Sequence, residues 1–256
     1  MKKLLLLSLL FLIAGRLFAQ VTLNTSPYLE NFDGIGTTLP AGFSVRTGAT
    51  ATALGTTAAF TTAATAWNNA TGAFKNFASA TAGATATTVA QSSATDRALG
   101  LRQTGGVGDP NGAFVFQLAN TTGKTGLKLS FNLQSLDAGS PRQAIWRVDY
   151  GFGAAPTTFT AATTTGTLTT GNITFSNNTV NVDFGTALDN NANTVWIRIV
   201  TILNTTGSGN RPSTGIDNFN LSFTSGGGVT TPALTASTAS LSFGSQTIAT
   251  SSAVQS

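Results

Sequence analysis

Between residues 97 and 224 the chain repeatedly alternates apolar and polar residues with a period of two. In LKLSFNLQSL, Leu127, Leu129, Phe131 and Leu133 share one face, with Lys128, Ser130, Asn132 and Gln134 opposite. AFVFQLA repeats the pattern with Phe114, Phe116 and Leu118, and QAIWRVDY with Trp146, Val148 and Tyr150. TVWIRIV sets Val195, Ile197 and Ile199 against Trp196 and Arg198. IDNFNLSF closes the series with Phe219, Leu221 and Phe223 inward, and the same parity puts Asp217 on the core side. A period of two describes half-buried strands. Several such strands separated by Gly, Asn and Pro predict an all-β, jelly-roll-type β-sandwich. No stretch after the first 19 residues sustains a helical period.

Residues 47–95 break this rhythm. They are rich in Ala and Thr, with Phe60, Trp67, Phe74 and Phe77 scattered among them. The composition suggests a linker, but aromatic rings need burial, so the segment is read as irregular strands and long loops.

The two ends differ from the middle. MKKLLLLSLLFLIAGRLFAQ carries a basic start and an apolar run too short to span a membrane, the pattern of a signal peptide over residues 1–19. Removing Lys2, Lys3 and Arg16 leaves ten basic against nine acidic residues, so the net charge falls from +4 to about +1. No basic cluster remains to grip a phosphate backbone, which argues against nucleic acid as a partner. The expected location is secreted or on the cell surface, with no membrane span after cleavage. The sandwich is assigned to residues 20–224 and a Gly/Thr linker to 225–232. Residues 233–256 are too few to bury a core of their own and read as the start of an incomplete immunoglobulin-like domain.

ENFDG at Glu30, LPAGF at Leu39 and GIDNFNLSF at Gly215 resemble the opening and closing elements of secreted cleaved-adhesin or choice-of-anchor J sandwiches. Phe43 stands where those modules usually have tryptophan. SLSFGSQTIATSSAVQS resembles the opening of a choice-of-anchor D immunoglobulin-like domain. Both kinds of module are common in surface and secreted proteins of Bacteroidota, many exported by the type IX system. The resemblance implies a non-catalytic adhesion or binding module of a larger extracellular protein, with a glycan or a host or surface protein as partner. It also implies a structural calcium ion held by Glu30, Asp33 and Asp217. The competing reading of those carboxylates is that they accept backbone N–H bonds and that Asp33-Gly34 is a turn.

The chain has no His and no Cys, which removes imidazole bases, catalytic triads with histidine and thiolate metal sites. No pair among its nine carboxylates stands out as a glycosidase pair, so no catalytic residue is assigned and the chain is read as non-enzymatic. Two alternatives stay open. One is an accessory domain of a secreted nuclease or protease. The other is a carbohydrate-binding module in which Trp196, Arg198 and Trp67 form an exposed platform, packing beneath a loop being the competing reading for each.

Overall fold

The alternating runs become strands because each has one face to bury. The computed structural model describes residues 20–83 and 87–226 as two sheets packed face to face, with a third, two-stranded sheet beside them. The larger sheet runs in the order β12 (Thr163–Thr165), β14 (Ser176–Asp183), β8 (Lys124–Ser135), β16 (Ser213–Ser225), β6 (Arg97–Arg102), β5 (Ala73–Ala78) and β4 (Phe60–Thr61). β1 (Tyr28–Glu30) also pairs with β16. The smaller sheet runs β11 (Thr160–Ala161), β10 (Arg147–Phe152), β15 (Val195–Val200), β7 (Ala113–Leu118), β2 (Phe43–Thr47) and β3 (Thr56–Thr57). The third pairs β9 (Gln143–Ile145) with β13 (Thr169–Gly171). All these pairings are antiparallel except β4 with β5. The fold is a β-sandwich.

Leu127, Leu129, Phe131 and Leu133 of β8 meet Phe114, Phe116 and Leu118 of β7 and Val195, Ile197 and Ile199 of β15 in one core. Each large side chain enclosed in this way contributes about 1.5–3 kcal/mol. Trp146 lies in the same core, stacked on Phe114 at 5.4 Å, with its indole N–H donating to Thr170 Oγ1 at 3.0 Å. β7 and β15 are buried on both faces, which the alternation does not reveal. Ala49, Leu54 and Phe159 close over their outer side, against Val115 and Trp196.

Residues 47–95 carry strands and loops as expected, together with one short helix that the periodicity misses. α1 spans Thr88–Ser93, and the hydroxyl of Thr87 caps it by accepting from Ala90 N. Six residues are too few to show a helical repeat, and the cap is the only local signal. Gln91 of α1 accepts from Ala78 N at 2.9 Å and so fastens the helix to β5. Trp67, Phe77, Ala80 and Leu136 form a small core beneath this cover, on the outer face of the larger sheet. At the other end, Ser225 is paired with Lys124 and is the last residue of β16, and residues 227–232 of the expected linker lie outside the described residues. The expectations of a signal peptide over residues 1–19 and of the start of an immunoglobulin-like domain over 233–256 fall outside the described residues.

Candidate functional site: a carboxylate seam on the last strand

β16 is long enough to take two strands along a single edge. Its first half pairs with β6, from Ser213 opposite Arg102 to Ile216 opposite Leu99. Its second half pairs with β1, from Phe219 opposite Glu30 to Leu221 opposite Tyr28. Asp217 and Asn218 occupy the seam between them. On the other edge of β16, Asp217 faces Asn132 and Asn220 faces Ser130, so β16 holds one residue more than β8 over this interval. This is a β-bulge, and Asn218 takes the left-handed conformation (φ 50°) that it needs.

The bulge corrects the expected direction of Asp217. Ile216 and Phe219 both enter the main core, three residues apart, so the parity reverses between them. Asp217 points instead to the outer face, beneath the cover formed by residues 79–83 and 87–96, and is 1 % exposed. Its Oδ2 accepts from Ser79 Oγ at 2.8 Å and Gln134 Nε2 at 3.3 Å, and its Oδ1 from Asn218 N at 2.6 Å. Burial pushes its pKa up to about 6; the Ser79 and Asn218 bonds oppose that, and the charges of Asp96 and Asp33 add to it.

The other seam carboxylates are also engaged. Glu30 Oε1 accepts from Phe32 N at 2.8 Å. Burial raises the Glu30 pKa, the bond from Phe32 lowers it, and Asp33 adds to the rise. Asp33 crosses the seam: its Oδ1 accepts from Arg97 N at 2.9 Å, and its Oδ2 from Asn31 Nδ2 at 2.6 Å. Asp96 accepts from the Thr81 hydroxyl. Beside the seam, Leu29, Glu30, Asn31, Asn218, Phe219 and Asn220 line an open depression of about 470 Å³.

The antiparallel closure of the first strand on the last therefore brings Glu30, Asp33 and Asp217 to one end of the sheet. It does not turn them toward a common point. Among the described residues no three Asp or Glu side chains are grouped to hold a metal ion. Calcium takes six to eight oxygens, whereas Asp33 and Asp217 spend theirs on protein donors. The present arrangement does not fit a three-carboxylate calcium cage.

The expected aromatic platform is corrected as well. Trp67 is 1 % exposed, Trp196 5 % and Arg198 0 %. Trp67 packs on Phe175, and Trp196 donates to Gly153 O at 2.8 Å. Arg198 makes a two-pronged pair with Asp149 at 2.7 and 2.9 Å, bonds the carbonyls of Thr50 and Ala53, and lies 3.3 Å above the Phe159 ring. For Trp196 and Arg198 the cause is the loop around residues 49–55 together with Phe159, both of which fold across this face. Nothing in the local alternation of β15 signals them.

The remaining carboxylates follow suit. Asp149 also pairs with Arg147, Asp137 with Arg102, and Asp183 with Lys128. Asp109 accepts from Thr205 and Arg211, and Asp189 from Gly126 N. From the sequence, Ser79, Gln91 and Gln134 have no assigned role at the site and Asp96 is not singled out, because they lie on separate elements that only the cover brings together.

Taken together, fold and site define a β-sandwich whose carboxylates tie loops and strand ends to one another. Among known proteins, no family description matches the chain, and no curated protein matches it. Among solved structures it is similar to the K1 cleaved adhesin domain of Lys-gingipain from Porphyromonas gingivalis W83, at 15 % identity over 77 % of this chain and 98 % of that one, with a TM-score of 0.38. Likeness at that level assigns no family. No helix among the described residues is long and apolar enough to cross a membrane.

Proposed function

We propose that this chain is a non-catalytic β-sandwich module of a secreted or surface-borne protein, serving in adhesion, ligand display or spacing. One observation carries the reading. All nine carboxylates accept hydrogen bonds or ion pairs from the protein's own groups, in a chain with neither His nor Cys. General acid–base work needs a group free to exchange its proton with a substrate. The test is a panel of ester, peptide, glycoside and phosphodiester reporters with the purified chain. Turnover above buffer that disappears in Asp217→Asn or Glu30→Gln would refute the proposal.

A carbohydrate-binding role is a second reading, moved away from the tryptophans. On the open half of the larger sheet, Asn220, Ser130, Asn181 and Thr165 stand in one cross-strand row. This row lines a depression of about 490 Å³. Amides and hydroxyls of this kind can both donate to and accept from sugar hydroxyls. A glycan array on which Asn181→Ala/Asn220→Ala binds as the parent does would exclude this face. Calcium held by Glu30, Asp33 and Asp217 is a separate proposal, favoured only by their meeting at the seam. It requires Asp33 and Asp217 to leave their present partners, and calcium titration of thermal stability decides it.

A further inference from the structure

Two arginines are enclosed in this sandwich, and they differ in how much of their donor capacity is met. Arg198 engages Nε, Nη1 and Nη2, between Asp149 and the carbonyls of Thr50 and Ala53. Arg102, 3 % exposed, engages through Nη1 alone, with Asp137 Oδ2 at 2.6 Å, Ser213 Oγ at 3.2 Å and Trp67 O at 3.5 Å. Its Nε is buried without a partner. The indole N–H of Trp67, whose carbonyl touches Arg102, is likewise buried without a partner.

A second cation lies next to them. On β5, Ala73 pairs with Arg102 of β6, and Lys75 is two residues further along, so Lys75 and Arg102 project from the same face of the sheet. Lys75 is also 3 % exposed and has a single bond, from Nζ to Thr65 Oγ1 at 3.1 Å. The segment 65–67 thus crosses both cations, with Thr65 on Lys75 and Trp67 on Arg102. Burial and the nearby charge of Arg102 both lower the Lys75 pKa. Among the described residues, only Arg102 of these two buried cations has a carboxylate partner, Asp137.

Buried donors without acceptors are costly, and so is a buried net charge. The surplus here is one positive charge and several N–H groups: Arg102 Nε, Trp67 Nε1 and the spare hydrogens of Lys75. A single monovalent anion would satisfy both deficits, whereas a water molecule supplies acceptors but no charge. We propose that Lys75, Arg102 and Trp67 form an internal binding site for a small monovalent anion of the chloride type, which locks the 62–72 segment onto β5 and β6.

The experiment is thermal unfolding of the full chain as chloride replaces gluconate at constant ionic strength. Above the dissociation constant, the melting temperature should rise by about 3–5 °C per tenfold increase in chloride. Lys75→Met, which keeps the apolar stem, should flatten that rise. In crystals of the unaltered protein grown with bromide, an anomalous peak should lie within hydrogen-bond distance of Arg102 Nε and Lys75 Nζ. This measurement does not depend on the variant folding. A melting temperature indifferent to chloride over a roughly hundredfold range would overturn the proposal. So would an ordered water, with no anomalous peak, at those atoms.

Discussion

Neutralising Asp217 should change how stability depends on pH, and the direction is unusual for an aspartate. Its carboxyl is raised from the ordinary 3.8 to about 6, chiefly by burial. A carboxyl with a higher pKa in the folded than in the unfolded state holds its proton more tightly when folded. Its contribution therefore favours the native state below pH ~4 and is lost as pH rises through about 6. The full shift corresponds to about 3 kcal/mol. Relaxation of the surroundings about the charged carboxylate reduces this to on the order of 2 kcal/mol. Asp217→Asn preserves the shape and removes the titration, and its amide can still meet Ser79 and Gln134. Urea unfolding of parent and variant at intervals from pH 3 to 8, in the presence of EDTA, reads the difference. The variant should gain on the parent by on the order of 2 kcal/mol between the acid and neutral limits. A constant difference across that range would refute the argument that Asp217 is buried as a strained carboxylate. A difference that grows toward acid pH would refute its sign.

Other parts of the structure give further predictions. Arg198→Lys loses the two-pronged contact with Asp149 and the carbonyls of Thr50 and Ala53, and should cost about 3–5 kcal/mol in urea unfolding. It should also expose the 49–55 loop to limited proteolysis. Gly100→Ala would place a methyl 2.0 Å from the Phe77 ring, and should lower stability by about 1–3 kcal/mol, with partial rescue by Phe77→Leu. Because Trp67, Trp146 and Trp196 are all buried, fluorescence should be blue-shifted and resist iodide quenching; a readily quenched fraction would contradict their placement. If the carboxylates stay with their protein donors, millimolar calcium should leave the melting temperature of the EDTA-treated chain unchanged. A clear rise would favour the cation proposal.

The sandwich was legible because β8, β7, β15 and β16 each carry large apolar side chains at every second position. The pairing of the first strand with the last brings Glu30 near Asp217. What could not be read was anything decided by a single inserted residue or by a distant cover. The bulge at Asp217 and Asn218 reverses parity without changing the local pattern. Trp196 and Arg198 occupy the alternate positions that in other sandwiches face water, and here Ala49, Leu54 and Phe159 close over that face. Trp67 sits in an Ala/Thr-rich stretch with no periodicity, and only β5, Leu136 and Phe175 explain its burial. The partners of Asp217 come from residues 79 and 134, a separation that no spacing rule spans.

The central claim is that the seam carboxylates hold the sandwich together instead of waiting for a ligand. Native-state hydrogen exchange at the amides of Phe32, Arg97 and Asn218 tests it most directly, because these donate to Glu30, Asp33 and Asp217 respectively. The account predicts that all three are protected, with opening free energies well above those of exposed loops. Exchange at the rate of free amides would mean that the carboxylates are not bound to the backbone, and would contradict it.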